Sequence, residues 1–236
     1  YEKFQYARHK PTVQICSGTA IDGCFAVTST GLVVACVMLG DTNAPMLTIT
    51  ESISSIRYKI SVVDIAYAAN GNLIIAASCG SVRMPIKCYE ISISYSNKRN
   101  CSINSHPLAG FFLDTSKLKG NLQDWYISHI KFLVKDITNS LVVVVNSQNG
   151  NSIVQLWEFS ADDSVGHMSH VFNETVLSNN VFKALNWKCD ANFESDSAVQ
   201  SLSTPKMLMC KNSNAPCYIM LVCENNRVKA LNRALK

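Results

Sequence analysis

The chain has 236 residues, 47% of them apolar and 16% charged, with a net charge of +4. So much core-forming material and so little charge exclude a disordered chain. Lysine and arginine are scattered, Lys98-Arg99 and the pair Lys117 and Lys119 being the nearest thing to clusters; no concentrated nucleic-acid face is expected, and no run reaches the roughly 18 apolar residues of a membrane helix.

The opening, Tyr1-Glu2-Lys3-Phe4, has neither a Met nor a basic start leading into an apolar segment, so it reads as a piece of something longer with no secretory signal. Residues 1 to 22 are mixed, with Arg8-His9-Lys10 before Pro11, and are expected to be the tail of a preceding element or a loose end. From Gly23 the strand signal begins: Cys24 to Val27, a turn at Ser29-Thr30-Gly31, then Leu32 to Leu39, and Met46 to Thr50 behind Pro45. The next unit runs Val62 to Tyr67, Leu73 to Ala77 and Ile86 to Tyr95, with the type I′ hairpin signal Asn70-Gly71 inside it.

The stretch from Ile127 to Phe159 repeats this grammar. Its runs, Ile127 to Val134, Leu141 to Val145 and Ile153 to Phe159, are short, rich in Val and Ile, and separated by polar turns, which predicts an antiparallel meander. The middle run has no polar alternation, so both faces of that strand should be covered, and a small antiparallel sheet meets that need as one blade stacked between two others. A weaker copy follows, with Val181 to Trp187 as its expected first strand, then Cys217 to Cys223 and Arg227 to Leu231. Between them the polar stretch 188–205 reads as a surface loop. Short helices are conceivable at Ser52 to Tyr58 and Leu118 to Tyr126.

The fold class is therefore all-β: a partial β-propeller of WD-repeat type, of about four blades with irregular insertions. The divisions are 1–60 (a leading segment and an incomplete first blade), 61–125, 126–180, and 181–236 (the last blade, with loop 188–205).

Ten cysteines, at 16, 24, 36, 79, 88, 101, 189, 210, 217 and 223, include no C-x-x-C, and several lie in apolar runs, as Cys36 and Cys223 do. They read as small hydrophobes in a reducing compartment, cytosol or nucleus. The sequons at Asn100 and Asn173 are the features that favour an extracellular alternative.

Four segments carry a resemblance to a known family: Gly23 to Val33 followed by Thr50-Glu51-Ser52; Asp64 to Tyr67 with Gly71 to Ala76; Ile127 to Leu133 running through Ser147-Gln148 to Trp157; and Leu185 to Lys188 with Ala198-Val199 and Pro205-Lys206. In this order and spacing the chain resembles the propeller region of the Mediator complex subunit 16 family, from about Gly23 to the end. The resemblance implies a nuclear scaffold of the RNA polymerase II coactivator. The partners it implies are other Mediator tail subunits and transcriptional activators, with no direct nucleic acid and no membrane. Members of that family are much longer, with further blades before this region and a helical part after it.

Chemistry-bearing residues each have a plainer reading. His167 and His170 are three apart in a predicted turn, a poor setting for two ligands of one metal. His129 alternates with Ile130 on a strand and reads as a packing histidine. Asp162-Asp163 reads as solvated, and Asp64, inside a strand, as a hydrogen-bond partner of a neighbouring turn. Trp125, Trp157 and Trp187 suit packing between blades. There is no G-x-S-x-G and no phosphate-binding glycine loop. No catalytic, cofactor-binding or metal-ligating residue is assigned, no cofactor is called for, and the expected function is binding rather than catalysis. An interaction domain of the same type outside the nucleus is the alternative.

Overall fold

The computed structural model describes residues 4–15, 19–39, 47–52, 59–67, 73–97, 100–135, 138–159, 187–204, 208–209, 216–232 and 235–236. Strands dominate. The first sheet is formed by β1 (Phe4–Ile15), β2 (Thr19–Thr28), β3 (Leu32–Leu39) and β4 (Leu47–Ser52), each antiparallel to the next. The second repeats the order with β5 (Val62–Tyr67), β6 (Leu73–Ser78), β7 (Ile86–Asn97) and β8 (Asn100–Phe111). A single 3-10 turn, η1 (Leu122–Asp124), capped by Asn121, is the helical element among the described residues.

The third sheet contains β9 (Trp125–Lys135), β10 (Thr138–Ser147), β11 (Ser152–Phe159) and β12 (Trp187–Ser195), again in chain order. The fourth has β13 (Val199–Ser203), β16 (Ile219–Cys223) and β17 (Val228–Leu231), with the small pair β14 (Leu208–Met209) and β15 (Pro216–Cys217) between them in sequence. The sheets stack in succession. β1 packs on β5, β5 on β9 and β9 on β13, while β8 meets β4 and β12 along the other edge. First strands thus line one edge of the stack and fourth strands the opposite edge, the order in which propeller blades follow one another.

The middle strand of the third sheet explains why the stack holds. Leu141, Val142, Val143, Val144 and Val145 are all 0% exposed, as an unbroken apolar run requires. Because side chains alternate between faces, Leu141, Val143 and Val145 enter a core with Ile74, Ala76 and Ile86 of the second sheet. Val142 and Val144 enter another with Val199, Ile219 and Leu221 of the fourth. At about 25 cal/mol per Å² of apolar surface, burial of one such side chain contributes roughly 1.5–3 kcal/mol. A sheet covered on both faces therefore welds its neighbours together. Trp157 lies in the first of these cores, its ring centroid 4.4 Å from that of Phe111 and tilted by 34°. Trp125 is buried there too.

Several expectations change. Residues 4–15 and 19–22 are not a loose end: they form β1 and the start of β2, so the first sheet has four strands. The stretch 188–205 is not a surface loop, since it carries most of β12 and all of β13. Its polar residues alternate with buried or half-buried ones, and β12 is an edge strand, where one polar face is tolerated. Trp187 consequently opens the fourth strand of the third sheet, and the first strand of the last sheet is β13. The helix considered at Leu118 to Tyr126 is limited to η1, with Trp125 and Tyr126 already extended. The Asn70-Gly71 turn and residues 53–58 lie outside the described residues, although β5 and β6 pair as the hairpin signal requires.

Candidate functional site

Polar side chains on β5, β9 and β10 reach across to the neighbouring sheets. Asp64, in β5 and 0% exposed, accepts hydrogen bonds from the Phe132 backbone N–H at 2.8 Å and the Lys131 Nζ at 3.1 Å. Both of these donors are on β9, a strand of the next sheet. A carboxylate this deep requires such donors, because burying an unpaired charge costs several kcal/mol.

His129 is held where two irregular strands meet. On β9 the register passes from His129 to Ile127 against Val144 and Val145, leaving Ser128 as the extra residue of a bulge. On β13 it passes from Val199 to Ser201, leaving Gln200 extra. Bulges re-aim side chains and free main-chain groups from the ladder. The Gln200 carbonyl lies 3.0 Å from His129 Nε2, and the Ser128 Oγ 3.0 Å from Nδ1. Since a carbonyl can only accept, Nε2 carries the proton. Burial holds the pKa of this histidine below its usual value, opposed by the Gln200 hydrogen bond and helped by the positive charge of Lys131. A packing role, as its strand position implied, is what these contacts describe.

Two residues beyond Val144, the register partner of His129, Asn146 is 3% exposed and bonds Val199 twice, its Nδ2 donating to the carbonyl at 2.9 Å and its Oδ1 accepting from the N–H at 3.2 Å. Ser152 Oγ donates to the Ser197 carbonyl at 2.7 Å. Behind them, Gln155 Nε2 donates to the Asp114 carbonyl at 2.6 Å and Gln155 Oε1 accepts from Trp157 Nε1 at 3.1 Å.

Ser152 also lines a cleft of about 600 Å³ at the end of the third sheet where β10 turns into β11. Lys117 and Lys119 stand on one wall, Glu194 and Asp196 on another, and Asn149 and Asn151 belong to the turn. The Trp125 indole N–H donates to the Lys119 carbonyl at 2.9 Å, which fixes the first wall. Lys119 Nζ meets Glu194 Oε2 at 3.3 Å, but both side chains are largely exposed, so the pair is worth little. A hydrogen bond from Lys229, with its charge, holds the exposed Asp196 carboxyl below the ordinary range. The cleft is lined largely by polar residues and carries both signs of charge.

Among the described residues no group of three or more His, Cys, Asp or Glu is placed to hold a metal ion. His167, His170, Asp162, Asp163, Asn173 and Lys98-Arg99 lie outside the described residues. Asn100 begins β8. Asn146 was missed by sequence reasoning. It looks like an ordinary turn residue at the end of an apolar strand, and only the arrival of β13 reveals its role.

Stacked antiparallel sheets, joined by buried polar ties and bearing a mixed-charge surface cleft, define an all-β protein. The sequence matches the family described as Mediator complex subunit 16, N-terminal, over residues 1–235. The chain belongs to the Mediator complex subunit 16 family. It is 31% identical over 157 residues to the Homo sapiens protein named Mediator of RNA polymerase II transcription subunit 16, an alignment covering 66% of this chain and 17% of that one. To the Aedes aegypti protein of the same name it is 25% identical over 245 aligned positions, covering 98% of this chain and 29% of the relative. The Xenopus laevis protein is 29% identical over 66% of this chain and 22% of its own length. The aligned part of the chain thus spans less than a third of the length of each of these relatives.

Proposed function

We propose that this chain is the sheet-stack portion of a non-enzymatic Mediator subunit that supports RNA polymerase II transcription in the nucleus. The observation that carries the reading is the family match over residues 1–235. In this reading the four sheets are consecutive blades of a partial propeller of WD-repeat type. Their approximate limits are 1–60, 61–125, a third unit from 126 that takes in β12, and a last unit from β13 onward. The subunit acts as a scaffold, docking to other Mediator tail subunits and offering surfaces to transcriptional activators through protein contacts.

The physical support is the use made of buried polar groups. Asp64, Asn146, Ser152 and Gln155 spend their hydrogen bonds on neighbouring strands and connections, which stiffens the stack and leaves its edges and turns for partners. Rigid scaffolds that present variable turns are a common basis for recognition.

The test is affinity purification of the tagged full-length protein from nuclear extract, with identification of co-purifying proteins by mass spectrometry. Recovery of Mediator subunits in near-stoichiometric amounts is the expected result. A protein confined to another compartment, or a purification without Mediator subunits, refutes the proposal and favours an interaction domain working elsewhere.

A further inference from the structure

The fourth sheet differs from the others at one edge. In the first three, the third strand is flanked by a fourth: β3 by β4, β7 by β8 and β11 by β12. β17 takes the third place in the fourth sheet and, among the described strands, pairs with β16 alone. Cys223 N–H donates to the Arg227 carbonyl at 2.9 Å. Hydrogen-bonded pairs alternate along an antiparallel ladder, so Lys229 and Leu231 exchange bonds with Leu221 and Ile219, while the main-chain N–H and C=O groups of Val228 and Ala230 point away from β16. Val228 is also 60% exposed. Such an edge is a template for a further strand.

Beyond β17 the bonds are those of a hairpin. Asn232 N–H donates to the Lys236 carbonyl at 3.2 Å, Leu235 N–H to the Asn232 carbonyl at 3.0 Å and Lys236 N–H to Asn232 Oδ1 at 3.1 Å, with Leu235 at a φ of +54°. The hairpin from β10 to β11 has the same set: Ser147 N–H to the Asn151 carbonyl, Gly150 N–H to the Ser147 carbonyl and Asn151 N–H to Ser147 Oγ, with Gly150 at +83°. The hairpin from β16 to β17 repeats the two main-chain bonds, with Asn226 at +59°. A type I turn followed by a left-handed residue makes this pattern. In both hairpins the residue after the turn pairs with the one before it, Ser152 with Asn146 and Val228 with Val222. Asn232 continues the alternation of Val228 and Ala230, so its bonds to Lys236 lie on the open side of β17. A leucine in the left-handed region is strained and persists only where its surroundings fix it. Leu235 is 4% exposed, held in the core with Val142, Ile219 and Leu231.

We infer that the polypeptide following Lys236 in the full-length protein runs back along β17 as the fourth strand of this sheet, antiparallel and hydrogen-bonded to Val228 and Ala230. The inference rests on the reading of this chain as one portion of a longer subunit; the Aedes aegypti relative, 29% of which is aligned, has the length for such a strand. By the register of the two hairpins, the first residue after Lys236 lies opposite Leu231, the second opposite Ala230, the third opposite Lys229 and the fourth opposite Val228. Leu231 is buried toward the third sheet and Val228 is exposed on the other face, so apolar side chains suit the first and fourth places. The third place adjoins Lys229, whose Nζ already meets Ser195 Oγ and Asp196 Oδ1, and suits an acidic or polar side chain. A second copy is the poorer occupant. Pairing Val228 of one copy with Ala230 of another would set two Lys229 residues directly opposite, a like-charge contact that destabilises a ladder.

The experiment measures amide hydrogen exchange in the purified full-length protein, resolved to single residues by electron-transfer fragmentation. The Val228 and Ala230 amides are expected to exchange at least about a hundredfold more slowly than in an unstructured chain, as Lys229 does, and equally so on dilution. Exchange of both at the unstructured rate beside a protected Lys229 means an open edge and overturns the inference. Protection that fades on dilution means a second copy and also overturns it. The register is tested with Ala230→Cys and a cysteine in the second place after Lys236. Opposite residues of a hydrogen-bonded pair lie about 5.5 Å apart at Cα, within the span of a disulfide. Mild oxidation is expected to link the two within one chain, as found by peptide mapping of the monomer; no link, or a link between chains, counts against the strand. The wild-type exchange decides the matter even if the variant does not fold. Failure here leaves co-purification with Mediator subunits untouched, so the two readings fall separately.

Discussion

Asn146 on β10 and Val199 on β13 exchange two hydrogen bonds between side-chain amide and backbone, at 2.9 and 3.2 Å, across the gap between the third and fourth sheets. The amide copies what a strand backbone would offer, one donor and one acceptor, and so extends ladder-like pairing to a residue in a different sheet. The join between these sheets therefore has a directional polar part as well as an apolar one.

Removing that part should be costly. Asn146→Ala leaves both main-chain groups of Val199 buried without their partners and is expected to destabilise the fold by about 2–3 kcal/mol. Asn146→Asp should be at least as damaging, because a carboxylate cannot donate to the Val199 carbonyl. Urea unfolding followed by circular dichroism measures the loss, and hydrogen exchange should show it concentrated at residues 199–203.

A second prediction concerns the Asp64 carboxylate, which pairs with Lys131 at 3.1 Å while being wholly buried. Asp64→Ala should cost roughly 3–5 kcal/mol, the usual loss when one member of a buried pair is removed. Lys131→Met should cost less, because the Lys131 side chain is 24% exposed and the Phe132 N–H remains to bind the carboxylate. Equal losses for the two variants in the same urea experiment would contradict this division of roles.

His129 supplies a pH dependence. Its folded pKa lies below the ordinary 6.5, chiefly through burial. Above the unfolded value both states are neutral, and its full contribution to stability is present. As pH falls below about 6.5 the unfolded chain takes up the proton first, so stability declines until the folded pKa is passed and then levels off. His129→Gln should flatten this part of the stability profile between pH 8 and 5 relative to wild type, a difference read from unfolding midpoints across that range.

Two glycines make a contrast in backbone tolerance. A Cβ on Gly110 would lie 2.6 Å from the Ile86 carbonyl oxygen, beside the irregularity where β7 and β8 shift register. Gly110→Ala must displace backbone and should cost about 1–3 kcal/mol. Gly150 has open space but a φ of +83°, so Gly150→Ala should cost only about 1–2 kcal/mol, from conformation alone. Thermal unfolding of the two variants, with Lys119→Ala as a near-neutral surface control, gives the ranking.

The strands that could be read from sequence are those whose apolar runs are self-explanatory. Leu141 to Val145 demands cover on both sides, and the structure supplies it. Where reading failed, the residues gain their meaning from distant partners. Lys188 to Ser195 has a loop-like composition, yet pairs with β11 as an edge strand, and an edge needs only one apolar face. Asp64 was recognisable as a structural acid, but its partners lie on a strand 67 and 68 residues away. The cleft was not visible at all, since its walls come from the stretch before β9, the β10 turn and the end of β12.

Asp64 also bears on how this family can vary. Its shorter bond goes to the main-chain N–H of Phe132, a group every residue but proline provides. The side chain at 132 can therefore change under packing constraints alone. A slip of β9 by one residue would turn that N–H away and leave the carboxylate facing a different part of the strand. The acid thus serves as an alignment key between two sheets that share no ladder, selecting one offset among those that apolar packing by itself would accept. For this bond position 132 need supply only a main-chain N–H, whereas position 64 requires a short side chain that accepts.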